Sequence, residues 1–181
     1  MNLLRILLLS IPIILTGCFS DHPPLPEDWG KTAQTNNCPS FEGYYFSQGE
    51  GADDIGIVPS LYKVLINAPL NIHRIEYIRI TQKKDSLIIQ AFSDDTLREE
   101  KEIPLKTSNC INGFLQLDTH SKKDGINRDG VLGYEWNTLL LSKASDGALI
   151  VRRDSGGGGV VLLIPVAGSA HQWYRYPKIQ K

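Results

Sequence analysis

Short segments of alternating hydrophobic and polar residues make up much of the chain, and polar turn residues separate them. A period of two between turn residues is typical of β-strands. The segments that show this pattern, or a short apolar run in its place, are 42–47, 73–81, 87–92, 96–103 and 114–117. The turn-like stretches 82–85 and 93–95 are short enough for hairpins, so the pattern predicts an antiparallel meander.

The last third of the chain contains a stronger hairpin signal. Segments 138–143 and 148–153 are joined through Asp146-Gly147, and both residues of this dipeptide tolerate positive φ. The glycine run 156–159 predicts a flexible loop. The segment 160–166 is apolar at every position, which predicts a central strand covered on both faces, with Pro165 near its end.

One segment has the pattern of a helix. Leu61, Val64 and Leu65 follow the spacing i, i+3, i+4, which places them on one face of a helix over residues 59–67. Ser60 precedes the first of them and can cap the helix N-terminus. The segment is short, so packing against the rest of the domain has to stabilise it.

These elements predict a mainly β fold with one short helix. We expect an antiparallel meander or barrel of about eight or nine short strands, similar to calycins. Closure into a barrel would remove exposed strand edges. Residues 38–181 are enough for a single domain.

Composition and charge exclude several classes of function. The chain has 19 basic and 20 acidic residues and a net charge of −1, without a basic stripe, so nucleic acid is not an expected partner. The four histidines are far apart, and none has zinc-ligand spacing with a cysteine. We therefore predict no metal site and no cofactor.

The N-terminal residues have the layout of a bacterial secretion signal, with Arg5 followed by an apolar run over 6–15. The run is too short to span a bilayer as a helix, which takes roughly 20 residues. It ends in Leu15-Thr16-Gly17-Cys18, which resembles the lipobox of bacterial lipoproteins. The resemblance implies cleavage of residues 1–17 and acylation of Cys18, including by palmitate. Phe19 replaces the aspartate that favours inner-membrane retention, which implies lipid anchoring in the outer membrane, with the domain facing the periplasm.

Two further predictions follow from an exported, lipid-bearing chain. Residues 18–37 are rich in proline and polar side chains, which favours a flexible tether between the lipidated cysteine and the domain. With Cys18 committed to lipid, Cys38 and Cys110 remain, and an oxidising compartment favours a disulfide between them. A functional dithiol is the alternative, although such pairs usually have the spacing Cys-x-x-Cys.

The start of the domain carries a family resemblance. The sequence Cys38-Pro39-Ser40-Phe41-Glu42-Gly43-Tyr44-Tyr45 resembles a group of uncharacterised proteobacterial lipoproteins, and segments 163–169 and 173–176 resemble the same group. Gly43-Tyr44-Tyr45 is also similar to the Gly-x-Trp start of lipocalins, without the tryptophan. The first resemblance implies an envelope lipoprotein, and the second implies a carrier.

Three classes of function remain at this point. We favour a non-enzymatic, lipid-anchored protein that binds or supports another envelope component. The alternative is a lipocalin-like carrier of an apolar small molecule, with Trp173, Tyr174 and Tyr176 of a final strand (171–176) at its pocket or rim. An enzyme ranks last because Ser169 and His171 lack a Gly-x-Ser-x-Gly motif and no catalytic set is visible.

Overall fold

The computed structural model describes residues 18–21, 23–30, 32, 37–52, 58–66, 74–105, 110–118, 125–126, 132–161 and 164–181. These residues contain thirteen strands, one 3₁₀ helix at Glu27–Trp29 and one α-helix, α1, at Leu61–Ile66. The predicted signal sequence, residues 1–17, lies outside the described residues. Within the described ranges, no helix is long and apolar enough to cross a membrane.

Eight strands form the larger sheet, sheet A. They are β1 (Cys18–Asp21), β3 (Glu50–Gly51), β7 (Cys110–Ile111), β8 (Phe114–Asp118), β9 (Gly125–Ile126), β10 (Leu132–Lys143), β11 (Leu149–Val161) and β12 (Ile164–Tyr176). The order is β1-β12-β11-β10-β8-β7, while β3 pairs with β12 and β9 pairs with β10. All pairs are antiparallel except the parallel pair β1–β12.

Five strands form sheet B. They are β2 (Gly43–Phe46), β4 (Tyr77–Gln82), β5 (Ser86–Ser93), β6 (Thr96–Pro104) and β13 (Lys178–Ile179). The order is β13-β2-β4-β5-β6, and every pair is antiparallel. The free edge is β6, whose outward positions include Glu100 and Glu102; charged side chains on an edge oppose pairing with another chain.

The mainly β, antiparallel fold with one short helix is confirmed, and strands account for 60% of the structure. Nine of the described strands have four or more residues, and the other four are two-residue pairs. The sheets do not close into a barrel. They pack face to face, because each sheet turns one apolar face toward a shared core, which is the arrangement of a sandwich.

Alternation explains which face each strand buries. In β5, Leu87, Ile89 and Ala91 are fully buried in the shared core, and the residues between them face outward. Sheet A contributes the apolar positions of β8, β10, β11 and β12 to the same core. Helix α1 covers it, with Leu61 and Leu65 buried on the predicted face.

The end of β11 differs from the prediction. The glycine run 156–159 is not a loop; it continues β11 and pairs with β10 on one side and β12 on the other. Segment 160–166 is not a single central strand, since it contains the end of β11 and the start of β12. The physical reason is close packing: a Cβ on Gly156 would lie 2.6 Å from the Trp136 ring, so glycine is needed there for β10 and β11 to pair.

Candidate functional site at the distal end of sheet A

The three longest strands of sheet A extend beyond the shared core. We call the two ends of this ribbon the near end, residues 139–151, and the distal end, residues 132–136, 156–161 and 164–169. At the near end, Leu141, Leu149 and Val151 are fully buried in the core. The distal end contains none of the core residues. Its side chains are therefore available for a role other than holding the sheets together.

The parallel strand β1 brings Cys18 to the distal end. Cys18 pairs with Ala167 of β12, Ala167 pairs with Gly158 of β11, and Gly158 pairs with Tyr134 of β10. Four strands thus meet in one row of the sheet. At about 4.8 Å between neighbouring strands, the backbone of Cys18 lies roughly 14 Å from that of Tyr134.

An open groove of about 300 Å³ runs along this row. It is lined by Gly133, Tyr134, Glu135, Gly157, Gly158, Gly159, Val166, Ala167 and Gly168. Its shape depends on glycine: a Cβ on Gly133 would lie 2.5 Å from the carbonyl oxygen of Gly158, and one on Gly157 would lie 2.8 Å from that of Tyr134. The backbones approach so closely here that side chains at these positions would force β10 and β11 apart.

Apolar side chains project from the distal end into solvent. Tyr134 is 53% exposed, Val160 is 43% exposed and Val166 is 44% exposed. They are three of the six large exposed hydrophobic residues among the described parts of the chain. Neighbouring exposed apolar residues mark interaction surfaces more often than isolated ones do.

Residues 23–30 differ from the predicted tether, because they pack against the outer face of sheet A. The Pro23 carbonyl accepts a hydrogen bond of 2.8 Å from Nε1 of Trp173. Trp29 is 7% exposed and packs in a second apolar cluster with Ala144, Ala148, Ile150 and Trp173. The proline-rich composition suggested a solvated spacer, but Trp29 gains more from burial than a solvated segment would provide.

A polar cluster lies on the same outer face between these two regions. Asp154 is 8% exposed, Nδ1 of His171 lies 2.6 Å from Oδ1 of Asp154, and the Arg152 guanidinium donates to its other oxygen at 2.9 Å. Arg152 also lies over the rings of Phe114 and Trp173. With both oxygens engaged, the Asp154 carboxylate is arranged to hold β11 and β12 in register.

Sequence reasoning missed the pairing of Asp154 with His171 because it considered His171 only with Ser169. The two partners are 17 positions apart and meet through the β11–β12 register. Knowledge of the hairpin turn at residues 162–163 would have aligned them, but the apolar segment 160–166 concealed that turn.

Cys38 and Cys110 lie at disulfide-bonding distance, with S–S 2.18 Å and Cα–Cα 5.5 Å. Cys38 precedes β2 of sheet B, whereas Cys110 lies in β7 of sheet A. The pair therefore joins the two sheets. Among the described residues, no group of three or more His, Cys, Asp or Glu side chains has the arrangement of a metal site.

The three terminal aromatics do not line a groove. Trp173 belongs to the outer cluster, and Tyr174 and Tyr176 belong to the shared core. The Tyr176 hydroxyl donates to the Pro59 carbonyl at 2.9 Å, and burial raises the pKa of Tyr176 strongly. These side chains act in packing rather than at the pocket or rim that the sequence suggested.

A second open groove, of about 710 Å³, lies beside the near end and is polar. Lys178, Lys181, Glu42 and Asp146 are among its lining residues. A hydrogen bond from the Ala148 amide, together with Arg175, holds the pKa of Asp146 below its ordinary value. The two ends of sheet A thus differ in chemistry, one charged and one apolar.

The chain matches no protein-family model, no curated protein and no solved structure. The functional argument therefore depends on the residues and their geometry.

Proposed function

We propose that this chain is a lipid-anchored bacterial envelope protein whose β domain binds or supports another envelope component without catalysing a reaction. The observation that carries the proposal is Leu15-Thr16-Gly17-Cys18 at the end of a short apolar run. An apolar run of that length serves as a secretion signal rather than a span. Two or more acyl chains then give stable anchoring, at about 0.8 kcal/mol per buried CH₂.

Two structural features support an exported protein of this kind. The cysteine pair at disulfide-bonding distance suits an oxidising compartment. The segment after Cys18 is short and packed, with Trp29 buried, so an anchor on Cys18 would hold the domain close to the bilayer. The described side chains between the two sheets pack against one another, so the carrier alternative gains no specific support.

Metabolic labelling with palmitate tests the anchor. The full chain should be labelled and recovered with membranes, and Cys18→Ala should take up no label and leave an unprocessed or soluble precursor. The matched control is Cys38→Ser/Cys110→Ser, which should be labelled like the parent because its Cys18 is intact. Normal labelling of Cys18→Ala would contradict the proposal.

Membrane fractionation tests the proposed location in the outer membrane. The proposal rests on Phe19 following Cys18, so Phe19→Asp should move the lipidated protein toward the inner-membrane fraction. Recovery of the parent protein only with the inner membrane would contradict outer-membrane anchoring while leaving lipidation intact.

A further inference from the structure

The apolar side chains of the distal end are found at a β-hairpin connection, where polar residues are the rule. Strands β11 and β12 pair to their ends, so only Leu162-Leu163 connects them. Hairpin connections run over the surface and consist mainly of Gly, Asn, Asp, Ser and Pro. Here every residue from Val160 to Val166 is apolar, and both end residues are more than two-fifths exposed to solvent.

Charge separates this end from the opposite one. Within the distal end as defined above, only Glu135 carries a charged side chain. The groove beside the near end has both cationic and anionic side chains along its lining. A protein with one apolar, nearly uncharged end suits a lipid–water interface, where apolar surface enters about 5–10 Å and polar surface remains in water.

We infer that the distal end is a membrane-contacting surface that enters the interface of the bilayer holding the Cys18 lipid. The inference rests on the proposed function, because the lipid on Cys18 identifies the occupant of the surface. The row that joins Cys18 to Gly158 and Tyr134 sets the anchor roughly 14 Å from the exposed tyrosine. A bilayer that receives the acyl chains therefore reaches the apolar hairpin end as well.

The side chains suit this placement. Tyr134 has an apolar ring and a polar hydroxyl, a combination that favours the headgroup region. Val160 and Val166 lie nearer the hairpin connection and are apolar throughout. Strand β1 pairs with β12 directly from Cys18, so the described chain leaves no spacer that would lift the distal end away from the bilayer. The near end, roughly 35 Å along β11, would remain in water.

Site-specific fluorescence on the lipidated protein tests the inference. The full chain is expressed and processed in bacteria, and the mature lipoprotein is reconstituted into phosphatidylethanolamine–phosphatidylglycerol vesicles. A polarity-sensitive dye is attached to Val160→Cys or, as the matched control, to Ser145→Cys in the exposed turn at the near end of the same hairpin. Parent protein without an added cysteine gives the background labelling.

The Val160 dye should shift to shorter wavelength on reconstitution and lose intensity when the vesicles contain lipids with a quencher on the acyl chain. The Ser145 dye should show neither change. Incorporated protein whose two dyes respond alike would overturn the membrane surface and leave the lipid anchor intact. Protein that fails to enter vesicles and takes up no palmitate would overturn the anchor itself.

A second variant guards against an effect of the label. Val160→Ser/Val166→Ser, with the dye on Tyr134→Cys, should reduce the wavelength shift at residue 134 relative to the dye on Tyr134→Cys alone. A dye response that requires an added envelope protein extract and is absent in pure lipid would overturn the inference in favour of a protein partner.

Discussion

Strand β11 has valine at both of its ends, and the two are in opposite environments. Val151 is fully buried in the core between the sheets, while Val160 is 43% exposed. Both belong to the same continuous strand and to the same antiparallel pairing with β10 and β12. Hydrophobicity and strand conformation therefore do not decide burial in this protein. What decides it is whether sheet B lies opposite the position.

The difference separates two kinds of constraint on one strand. At the near end, side chains must match the shape of the core, so changes of volume are costly. At the distal end, the backbones must approach closely, so glycine is required and the projecting side chains are free to serve contact with a surface. The predictions below test this division, beginning with the largest expected effect.

Reduction of the Cys38–Cys110 pair should destabilise the core half most. A bond across 72 positions would stabilise the domain by roughly 4 kcal/mol on the chain-entropy model. The urea midpoint of the protein should fall markedly on reduction. Cys38→Ser/Cys110→Ser should begin near that lower midpoint and should not respond to the reductant. Free alkylation of both cysteines in unreduced, denatured protein would contradict the bond.

Replacement of Trp29 tests whether residues 23–30 belong to the folded domain. Trp29→Ala should cost about 3 kcal/mol if the segment unfolds only together with the sheet, since a large aromatic side chain is lost from the outer cluster. Hydrogen exchange of residues 23–30 should accelerate, whereas exchange in β5 should change only with overall stability. Unprotected exchange of this segment in the parent protein would restore the predicted tether.

The two valines of β11 provide a matched test of the comparison. Val151→Ala removes two methyl groups from the core and should cost about 2 kcal/mol in urea unfolding. Val160→Ala makes the same chemical change at the distal end and should change the free energy of unfolding by no more than about 0.5 kcal/mol. Equal costs would mean that the distal end is packed as tightly as the core.

Tyr45 tests the core half with a smaller effect. Its hydroxyl donates to the Phe41 carbonyl at 3.0 Å in a fully buried site, so Tyr45→Phe should cost about 1 kcal/mol near neutral pH. Burial raises the pKa of Tyr45 to about 12. A raised pKa means that the native state holds this proton more tightly than the unfolded state does. The resulting stability is present below pH 10 and is lost as pH rises through about 12.

The measurement is the free energy of unfolding of parent and Tyr45→Phe protein between pH 9 and 12. The parent should lose stability more steeply over this range than the variant, because Tyr45 can ionise only in the parent. Parallel curves for the two proteins would mean that Tyr45 does not titrate in this way.

Local patterns were sufficient for several elements of the fold. The strands near residues 87–92 and 96–103, the Asp146-Gly147 turn and the helix near Leu61 all occur where the sequence predicts them. The pairing of Cys38 with Cys110 also followed from counting the cysteines. These features depend on a residue's own preferences and those of its near neighbours, which a sequence states directly.

Other features depend on partners distant in the chain. The glycine run 156–159 seemed a loop because glycine is common in turns, yet here it gives Trp136 and Tyr134 room against β11. The burial of Tyr174 and Tyr176 followed from the position of sheet B, so the predicted pocket became core. The proline-rich segment seemed solvated because the apolar surface that receives Trp29 comes from strands more than 100 positions later.

The sequence by itself determined that this is a mainly β domain, that one short helix accompanies it, and that Cys38 has Cys110 as its available partner. Only the tertiary structure decided that the strands form two packed sheets, that Asp154 meets His171, and that the backbone of Cys18 lies in the same row as Tyr134. The physical reason is that backbone preference is local. Sheet register is instead fixed by the fit of side chains and close backbones across strands, and that fit exists only in the folded chain.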